Sequence, residues 1–291
     1  MNILILNNAY YKIESYLYQS ARLKEELEKL GATVTVKAND FFPTILNGET
    51  ISTTLKNFDA CIYLDKDKYV SEMIEKSGLK LFNSHRAMTV CDDKTSTYIA
   101  LSGSGVKMPK TLSGLLCYVE NAEIKPNTID KIEAELGYPL VVKESFGSLG
   151  KGVYKAVNRQ NLIELMNKVK LKPHHFQKFI SSSFGKDVRV ICVGGKVVCS
   201  MVRTSKTDFR SNVELGGVGS KFDLPIAFKE TAERVAQVLE LDYCGIDLLF
   251  GENNQPIVCE VNSNAFFGGI ERVTGVNVAK AFSQHVLNQL K

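Results

Sequence analysis

The sequence predicts an α/β unit at the N-terminus followed by an α+β region. In roughly the first 85 residues, apolar β-type runs alternate with amphipathic helical segments, which is typical of a parallel α/β sheet. Further along, glycine-rich turns separate pairs of β-type runs, as expected for antiparallel hairpins. At 291 residues the chain is longer than one ordinary domain, so we expect two or three compact units.

The N-terminal unit begins with a strand and an amphipathic helix. Tyr16, Leu23 and Leu27 recur at helical spacing, and Gly31 is a stop signal. The predicted elements are strand Asn2–Leu6, helix Glu14–Leu30, strands Ala32–Lys37 and Ala60–Leu64, helix Lys68–Lys76 and strand Lys80–Phe82. No G-x-G-x-x-G motif follows the first strand, so we expect a substrate-binding or supporting role rather than dinucleotide binding.

The middle of the chain carries two lysines in unusual settings. A helix is predicted to start at Asp93-Lys94 and run to about Ser102; a helix cap followed by a surface charge is the simpler reading of this pair. Lys143 stands in the apolar strand Tyr138–Glu144, where a buried ammonium group needs an anion.

A glycine-rich loop, Ser145–Gly152, joins that strand to the next one, Val153–Val157. The loop reads Gly-Lys-Gly and precedes a strand, so it is not a Walker A motif. Such a loop can fold over a polyphosphate and donate its backbone N–H groups to it, although glycines are also common in ordinary hairpins.

The remaining predicted elements frame a polar loop, Arg203–Asn212. Before the loop, the sequence predicts helix Leu162–Lys170, strand His175–Ile180 and the β-meander Val188–Val193 and Lys196–Met201. After it come helices Ile226–Glu240 and Asn277–Leu290. The loop is rich in cationic and amide side chains, which suits a phosphoryl or acyl-phosphate group. A solvated loop is the alternative.

A predicted hairpin within Asp242–Asn264 carries paired acidic residues. If Phe250 pairs with Ile257, Asp247 lies directly opposite Glu260. Asn262 shares the face of Glu260, because side chains alternate along a strand. Opposed carboxylates destabilise a sheet unless a counter-charge is present, and oxygen ligands of this kind suit Mg²⁺. The alternative is a solvated face of an edge hairpin.

Composition excludes several classes of function. A net charge of +4 is far below a nucleic-acid-binding footprint, and no apolar run is long enough to span a membrane. The N-terminus lacks the features of a signal peptide. Seven scattered cysteines without a C-x-x-C pair favour free thiols in a reducing cytoplasm.

In this order and spacing, the motifs resemble the ATP-grasp carboxylate–amine ligases, and within them the RimK-type ligases of the glutathione synthetase-like branch. The matching motifs are Asp93-Lys94, Pro139–Lys143 with Gly147–Gly152, Gln177–Ile180, Asp187–Arg189, Asp208–Asn212, Gly245–Asp247 and Glu260–Asn264. The resemblance implies an ATP-grasp fold of two α+β lobes that sandwich ATP, preceded by the α/β domain. The implied ranges are 1–84, 85–180 and 181–291.

The resemblance also implies roles for individual residues. Those contacting ATP are Lys94, Lys143, the loop residues Ser148, Gly150 and Gly152, the hinge residues Gln177, Lys178, Phe179 and Ile180, and Asp187 at the ribose. Asp247, Glu260 and Asn262 hold Mg²⁺, with Mn²⁺ as a substitute. Arg203, Arg210 and Asn212 face the carboxylate substrate and its acyl-phosphate.

The implied activity joins a carboxylate to an amine, such as a glutamate-like amino acid, with ADP and phosphate as by-products. Members of this branch are commonly homo-oligomers. Two departures stand out: Lys178 replaces an acidic hinge residue, and Ser263–Gly269 replaces a small-Pro-Gly segment near the expected acceptor entrance. The alternatives are a non-catalytic ATP-binding module and a D-amino acid dipeptide ligase.

Overall fold

A parallel sheet forms the N-terminal part of the protein in a computed structural model, which describes residues 1–11, 13–212 and 216–291. Its strands follow the order β2-β1-β5-β6, which confirms the predicted parallel sheet. The elements are β1 (Asn2–Asn7), α1 (Glu14–Lys29), β2 (Thr33–Ala38), the hairpin β3 (Thr44–Leu46) and β4 (Ile51–Thr53), β5 (Ala60–Leu64), α2 (Lys68–Lys76) and β6 (Lys80–Phe82).

The second sheet has four antiparallel strands in the order β7-β10-β8-β9. The elements of this region are α3 (His85–Asp92), α4 (Lys94–Leu101), β7 (Thr111–Ser113), α5 (Pro126–Leu136), β8 (Leu140–Glu144), β9 (Val153–Ala156), α6 (Arg159–Val169) and β10 (His174–Lys178). The glycine-rich loop connects β8 to β9, as predicted. Helices α3 and α5 are additions that the sequence pattern does not predict.

The third sheet has five antiparallel strands in the order β13-β12-β11-β14-β15. Its elements are β11 (Lys186–Val193), β12 (Lys196–Thr204), β13 (Val218–Lys221), α7 (Ile226–Val238), β14 (Tyr243–Phe250), β15 (Pro256–Asn262), α8 (Gly268–Thr274) and α9 (Val278–Asn288). Arg203 belongs to β12 and not to the loop that the sequence predicts, because β12 continues to Thr204 to pair with β11 and β13.

The two faces of the third sheet are covered by different parts of the chain. One face shares a hydrophobic core with the N-terminal sheet, where Ile3 and Ile5 belong to the same cluster as Tyr243 and Phe282. The other face packs against α7, α3 and α4. The N-terminal sheet is therefore fixed against the third sheet, while the domain boundaries at 84 and 180 stay a prediction.

The hairpin of β14 and β15 has a register that differs in part from the predicted one. Phe250 pairs with Pro256, not with Ile257 as predicted. A shift between Asp247 and Leu248 leaves Cys259 as an extra residue on β15, which is a β-bulge. The bulge restores the predicted pairing of Asp247 with Glu260.

Across the described parts of the chain, the helices are all too short or too polar to cross a membrane.

Candidate functional site

Two adjoining openings contain the predicted site residues. A narrow cleft of about 90 Å³ lies between the second and third sheets. A larger cavity of about 700 Å³ lies between the N-terminal sheet and the third sheet. Asn212 and Glu260 line both openings, so the two spaces meet at these side chains.

Most predicted site residues line the cleft. These are Lys94, Lys143, Gly150, Gln177, Lys178, Phe179, Ile180, Asp187, Arg210, Asn212, Asp247 and Glu260. Ser148, Arg203 and Asn262 line the cavity. Gly152, by contrast, lines neither of these two openings: its backbone has φ +72°, and a Cβ there would lie 3.0 Å from the Cβ of Glu144. Residues that are far apart in the sequence thus come together at one site.

The two predicted lysines are both buried. Asp93 caps α4 as expected, since its side chain accepts from the backbone N–H groups of Thr95 and Ser96. Lys94 is 6% exposed, so the simpler reading of a surface charge is wrong. Its Nζ donates to the Gly147 carbonyl at 2.6 Å and lies 3.6 Å from Oε1 of Glu260.

Lys143 has a different environment. It is 7% exposed, and its Nζ lies 3.9 Å from Sγ of Cys259. In the ranges that the structure describes, no carboxylate comes within 4.0 Å of this ammonium group. A buried cation without a neighbouring carboxylate is an attractive site for an anionic ligand.

The glycine-rich loop folds toward the third sheet. Gly147 and Gly150 adopt φ of +119° and +74°, a region that favours glycine. Arg210 Nη1 donates to the Gly150 carbonyl at 2.8 Å, and the same guanidinium binds both carboxylate oxygens of Asp208. Arg210 therefore connects the two lobes across the cleft.

Four charged side chains form a buried network on the third sheet. Arg203 makes a bidentate ion pair with Asp187, at 2.7 and 2.6 Å, and its Nη2 also lies 3.0 Å from Oδ2 of Asp247. Arg189 binds both oxygens of Asp247, with Nη2–Oδ2 at 2.8 Å. Two cations and two carboxylates balance, which allows Asp187, Arg203 and Asp247 to be buried and the Arg189 side chain to be only 13% exposed.

The network affects its two carboxyl groups differently. Burial raises the pKa of Asp247, but Arg189 and Arg203 outweigh burial and lower it to about 2. Burial raises the pKa of Asp187 above its ordinary value, although Arg203 opposes this. Asp247 is therefore a carboxylate at any physiological pH.

Arg189 belongs to the site although it was not among the predicted site residues. It lines the cavity and pairs directly with Asp247 across β11 and β14. A cation inside the apolar run Val188–Val193 is the sequence signal that could have found it, since a buried charge needs a partner.

The oxygen atoms of Asp247, Glu260 and Asn262 are the candidate cation ligands. Asp247 and Glu260 face each other across the hairpin, and Asn262 pairs with Gly245 two positions further on. Two carboxylates and an amide oxygen fit a hard divalent cation. In the described ranges, this site included, no group of three or more His, Cys, Asp or Glu side chains could hold a metal, so the candidate set depends on the amide oxygen of Asn262 beside its two carboxylates.

The cavity is completed by side chains that no sequence motif indicates. The N-terminal region contributes Asn8, Tyr18, Gln19, Asp65 and Lys66, and α8 with the segment before it contributes Ala265, Phe266, Gly268, Gly269 and Arg272. Asn264 Nδ2 donates to the Asp65 carbonyl at 2.8 Å and ties the two parts together. The segment Ser263–Gly269, which departs from the family pattern, thus forms part of the cavity wall.

Comparison with known proteins identifies the family. Residues 91–286 match the RimK-like ATP-grasp domain. The chain belongs to the RimK-like ATP-grasp family. It is 34% identical to human N-acetylaspartylglutamate synthase A over 264 residues, which cover 90% of this chain and 64% of the human protein. It is 33% identical to a probable alpha-L-glutamate ligase of Maridesulfovibrio salexigens over 213 residues, 72% of this chain and 68% of that protein.

The vertebrate relatives are considerably longer proteins. The chain spans 55–64% of the length of the N-acetylaspartylglutamate and beta-citrylglutamate synthases of human, mouse and zebrafish. Among solved structures, a D-alanine–D-alanine ligase from Bacillus anthracis complexed with ATP superposes with a TM-score of 0.75. The superposition covers 100% of this chain and 97% of the ligase at 15% sequence identity, which confirms the ATP-grasp fold.

Proposed function

We propose that this RimK-like protein is an ATP- and Mg²⁺-dependent carboxylate–amine ligase. It adds an amino acid of the glutamate type to a carboxylate on a small molecule, a peptide or a protein. The names of its relatives support the proposal, since they include a synthase of N-acetylaspartylglutamate and a probable glutamate ligase.

The observation that carries the proposal is the junction of the cleft and the cavity at Asn212 and Glu260. A ligase of this kind must bring a phosphate chain and a carboxylate into contact while keeping each in its own site. The cleft offers buried lysines for phosphates, and the cavity offers arginines for carboxylates. Their shared border is where the two would meet.

The reaction proceeds in two balanced steps. A carboxylate oxygen attacks the γ-phosphorus of ATP, the bond to the β-phosphate oxygen breaks, and ADP leaves. The amine nitrogen then attacks the carbonyl carbon of the acyl-phosphate, phosphate leaves with the C–O bonding pair, and the nitrogen loses a proton to give the amide. Both steps depend mainly on positioning and charge neutralisation.

The chain's own residues would provide this positioning. Lys94 and Lys143 bind the phosphates, with Ser148, Gly150 and Gly152 of the loop above them. The hinge segment Gln177–Ile180 contacts adenine, and Asp187 lies near the ribose. In the cavity, Arg203 and Asn212 orient the carboxylate. Arg210 holds the glycine-rich loop closed through the Gly150 carbonyl, and Arg189 positions Asp247 by its ion pair.

Asp247, Glu260 and Asn262 would hold the divalent cation, Mg²⁺ or Mn²⁺. When bound, such a cation neutralises phosphate charge. Arg189 and Arg203 keep Asp247 ionised, which preserves a ligand oxygen for the cation.

The direct test is product formation. Purified protein is incubated with ATP, Mg²⁺, L-glutamate and a panel of carboxylates that includes N-acetyl-L-aspartate, citrate and acidic peptides. We expect ADP, phosphate and an amide in equal amounts for at least one pair, measured by a coupled assay and mass spectrometry. The matched control is the Asp247→Ala, Glu260→Ala double variant, which should lose binding of Mg²⁺-ATP in calorimetry.

Two outcomes would replace the proposal. Binding of ATP without ADP formation for any pair would indicate a non-catalytic ATP-binding module. Turnover with D-amino acids alone would indicate a D-amino acid dipeptide ligase.

We also infer that the protein works in the reducing cytoplasm and self-associates. All seven cysteines are free thiols, which supports the compartment. Fractionation of cells and light scattering of the purified protein test the two points.

A further inference from the structure

The cavity is lined by four cationic side chains that differ in their partners. They are Lys66, Arg189, Arg203 and Arg272. Lys66 Nζ lies 2.7 Å from Oδ1 of Asp92, and both Arg189 and Arg203 pair with Asp247. The Arg272 side chain makes no ion pair and no hydrogen bond with any residue in the described ranges. Its guanidinium is therefore available to a ligand.

The Arg272 guanidinium lies beside a tightly packed glycine, Gly268. A Cβ at Gly268 would lie 2.9 Å from Cδ1 of Tyr18 and 3.5 Å from Nη1 of Arg272. The Tyr18 hydroxyl donates to Oε2 of Glu271 at 2.8 Å, and Glu271 Oε1 accepts from the backbone N–H of Ala279 at 3.1 Å. These contacts hold the Tyr18 ring against Gly268, and Nη1 of Arg272 lies close to the same glycine.

Arg272 stands on a different element from the proposed cation ligands. Glu260 and Asn262 stand on β15, whereas Arg272 is on α8, and the Arg272 guanidinium is more than 4.0 Å from every described carboxylate oxygen. The neighbouring Gly269 leaves space, because a Cβ there would meet nothing within 4 Å. A guanidinium beside open space in a substrate cavity suits a carboxylate, which it can bind with two parallel hydrogen bonds.

We propose that Arg272 binds a substrate carboxylate other than the one that becomes activated. This makes the cavity selective for substrates with two or more carboxylates. The inference rests on the proposed function, because it assigns a specificity to the site of that reaction.

The test compares charged substrates with their neutral amides. With a productive pair identified, KM is measured for L-glutamate against L-glutamine, and for N-acetyl-L-aspartate against N-acetyl-L-asparagine. Arg272→Met should raise the KM of one dicarboxylate about 10–100-fold, as expected for loss of hydrogen bonds to a charged group. The wild type should prefer that dicarboxylate to its matching amide, and Arg272→Met should lose this preference. The KM of ATP should stay within about twofold.

Two further variants control for structural effects. Arg272→Lys keeps the charge and should recover part of the affinity, since a lysine cannot make the bidentate contact. Lys280→Met removes an exposed cation on α9 outside the cavity lining and should leave every KM unchanged.

Unchanged KM values for all dicarboxylates in Arg272→Met would overturn the inference. A parallel loss in kcat and in ATP affinity would also overturn it, because that pattern indicates a structural role. If the wild type ligates no pair, the proposed function fails instead. Calorimetric titration of L-glutamate, N-acetyl-L-aspartate and citrate into wild type and Arg272→Met then still tests the carboxylate contact, and equal affinities would count against it.

Discussion

The cleft and the cavity share a border but are built in different ways. The cleft is lined by residues of recognisable motifs, such as Lys94, Lys143 and the hinge segment Gln177–Ile180. The cavity shares motif residues such as Glu260 and Asn262 but adds side chains from α1, the loop after β5 and α8, which carry no motif. The cleft contains the two buried lysines that we propose bind phosphates. The cavity has the residues that could distinguish one carboxylate or amine from another.

The comparison also separates two uses of arginine. Arg203 is 3% exposed and compensates two buried carboxylates, whereas Arg272 is exposed and has no partner in the described chain. The first arginine supports the fold of the site, and the second can change partner without cost to the fold. Four predictions test these distinctions.

The largest effect is expected for Arg203→Met. The change leaves Asp187 and Asp247 buried with less compensation, so the free energy of unfolding should fall by about 3–5 kcal/mol. Urea denaturation at pH 7 measures it. Arg272→Met is the matched control, with a change within about 0.5 kcal/mol. Equal decreases in the free energy of unfolding of the two variants would show that Arg203 does not stabilise the buried carboxylates.

Within the cleft, Lys143→Met should reduce kcat/KM for ATP about 100–1000-fold, because a buried cation directed at phosphate charge is lost. Steady-state kinetics with a productive substrate pair measures the effect. Lys178→Met is the control: its side chain is exposed and the proposed hinge contact would use the backbone, so the change should stay within about threefold. A large effect at Lys178 would instead assign a nucleotide contact to its side chain.

Beneath the cleft, His175 should make stability depend on pH. It is fully buried, and burial together with the charges of Lys143 and Lys94 lowers its pKa to about 3. The unfolded chain binds a proton there below about pH 6.5, so the free energy of unfolding falls as pH decreases from 6.5 toward 3. Wild type should lose about 2 kcal/mol more than His175→Phe between pH 7 and pH 5. Parallel pH profiles in urea titrations of the two proteins would contradict the assignment.

At the cavity wall, two adjacent glycines should respond differently. Gly268→Ala places a methyl group against the Tyr18 ring and should destabilise the protein by about 1–2 kcal/mol. Gly269→Ala meets no atom within 4 Å and should be neutral within about 0.5 kcal/mol. Thermal and urea denaturation compare the pair. Identical stabilities of Gly268→Ala and Gly269→Ala would mean that the Tyr18 ring can move to accommodate the added methyl group at little cost.

Local patterns predicted much of the fold and of the cleft. The helix Lys68–Lys76 and the strands Ala60–Leu64 and Lys80–Phe82 have the bounds that the sequence indicates. Asn277 caps α9, as its side chain accepts from Lys280 N–H. The opposition of Asp247 and Glu260 was also correct, although the predicted pairing of Phe250 with Ile257 was wrong by one residue.

The error in the hairpin shows where local reasoning stops. A turn sets the register only up to the first irregularity, and the bulge at Cys259 depends on how β15 fits against its neighbours. Likewise, the run Val188–Val193 identifies a buried strand, but the partner of Arg189 follows from the alignment of β11 with β14.

Periodicity and short motifs in the sequence were enough to predict most of the helices and strands, the opposition of Asp247 and Glu260, and most of the residues that line the cleft. The far wall of the cavity and the pairing within the charge network follow only from the tertiary structure. Tyr18 meets Glu271 across 253 residues, and Asp187 meets Arg203 only once two strands pair. Such contacts form when separate elements pack and bury their side chains together, so no local stretch of sequence encodes them.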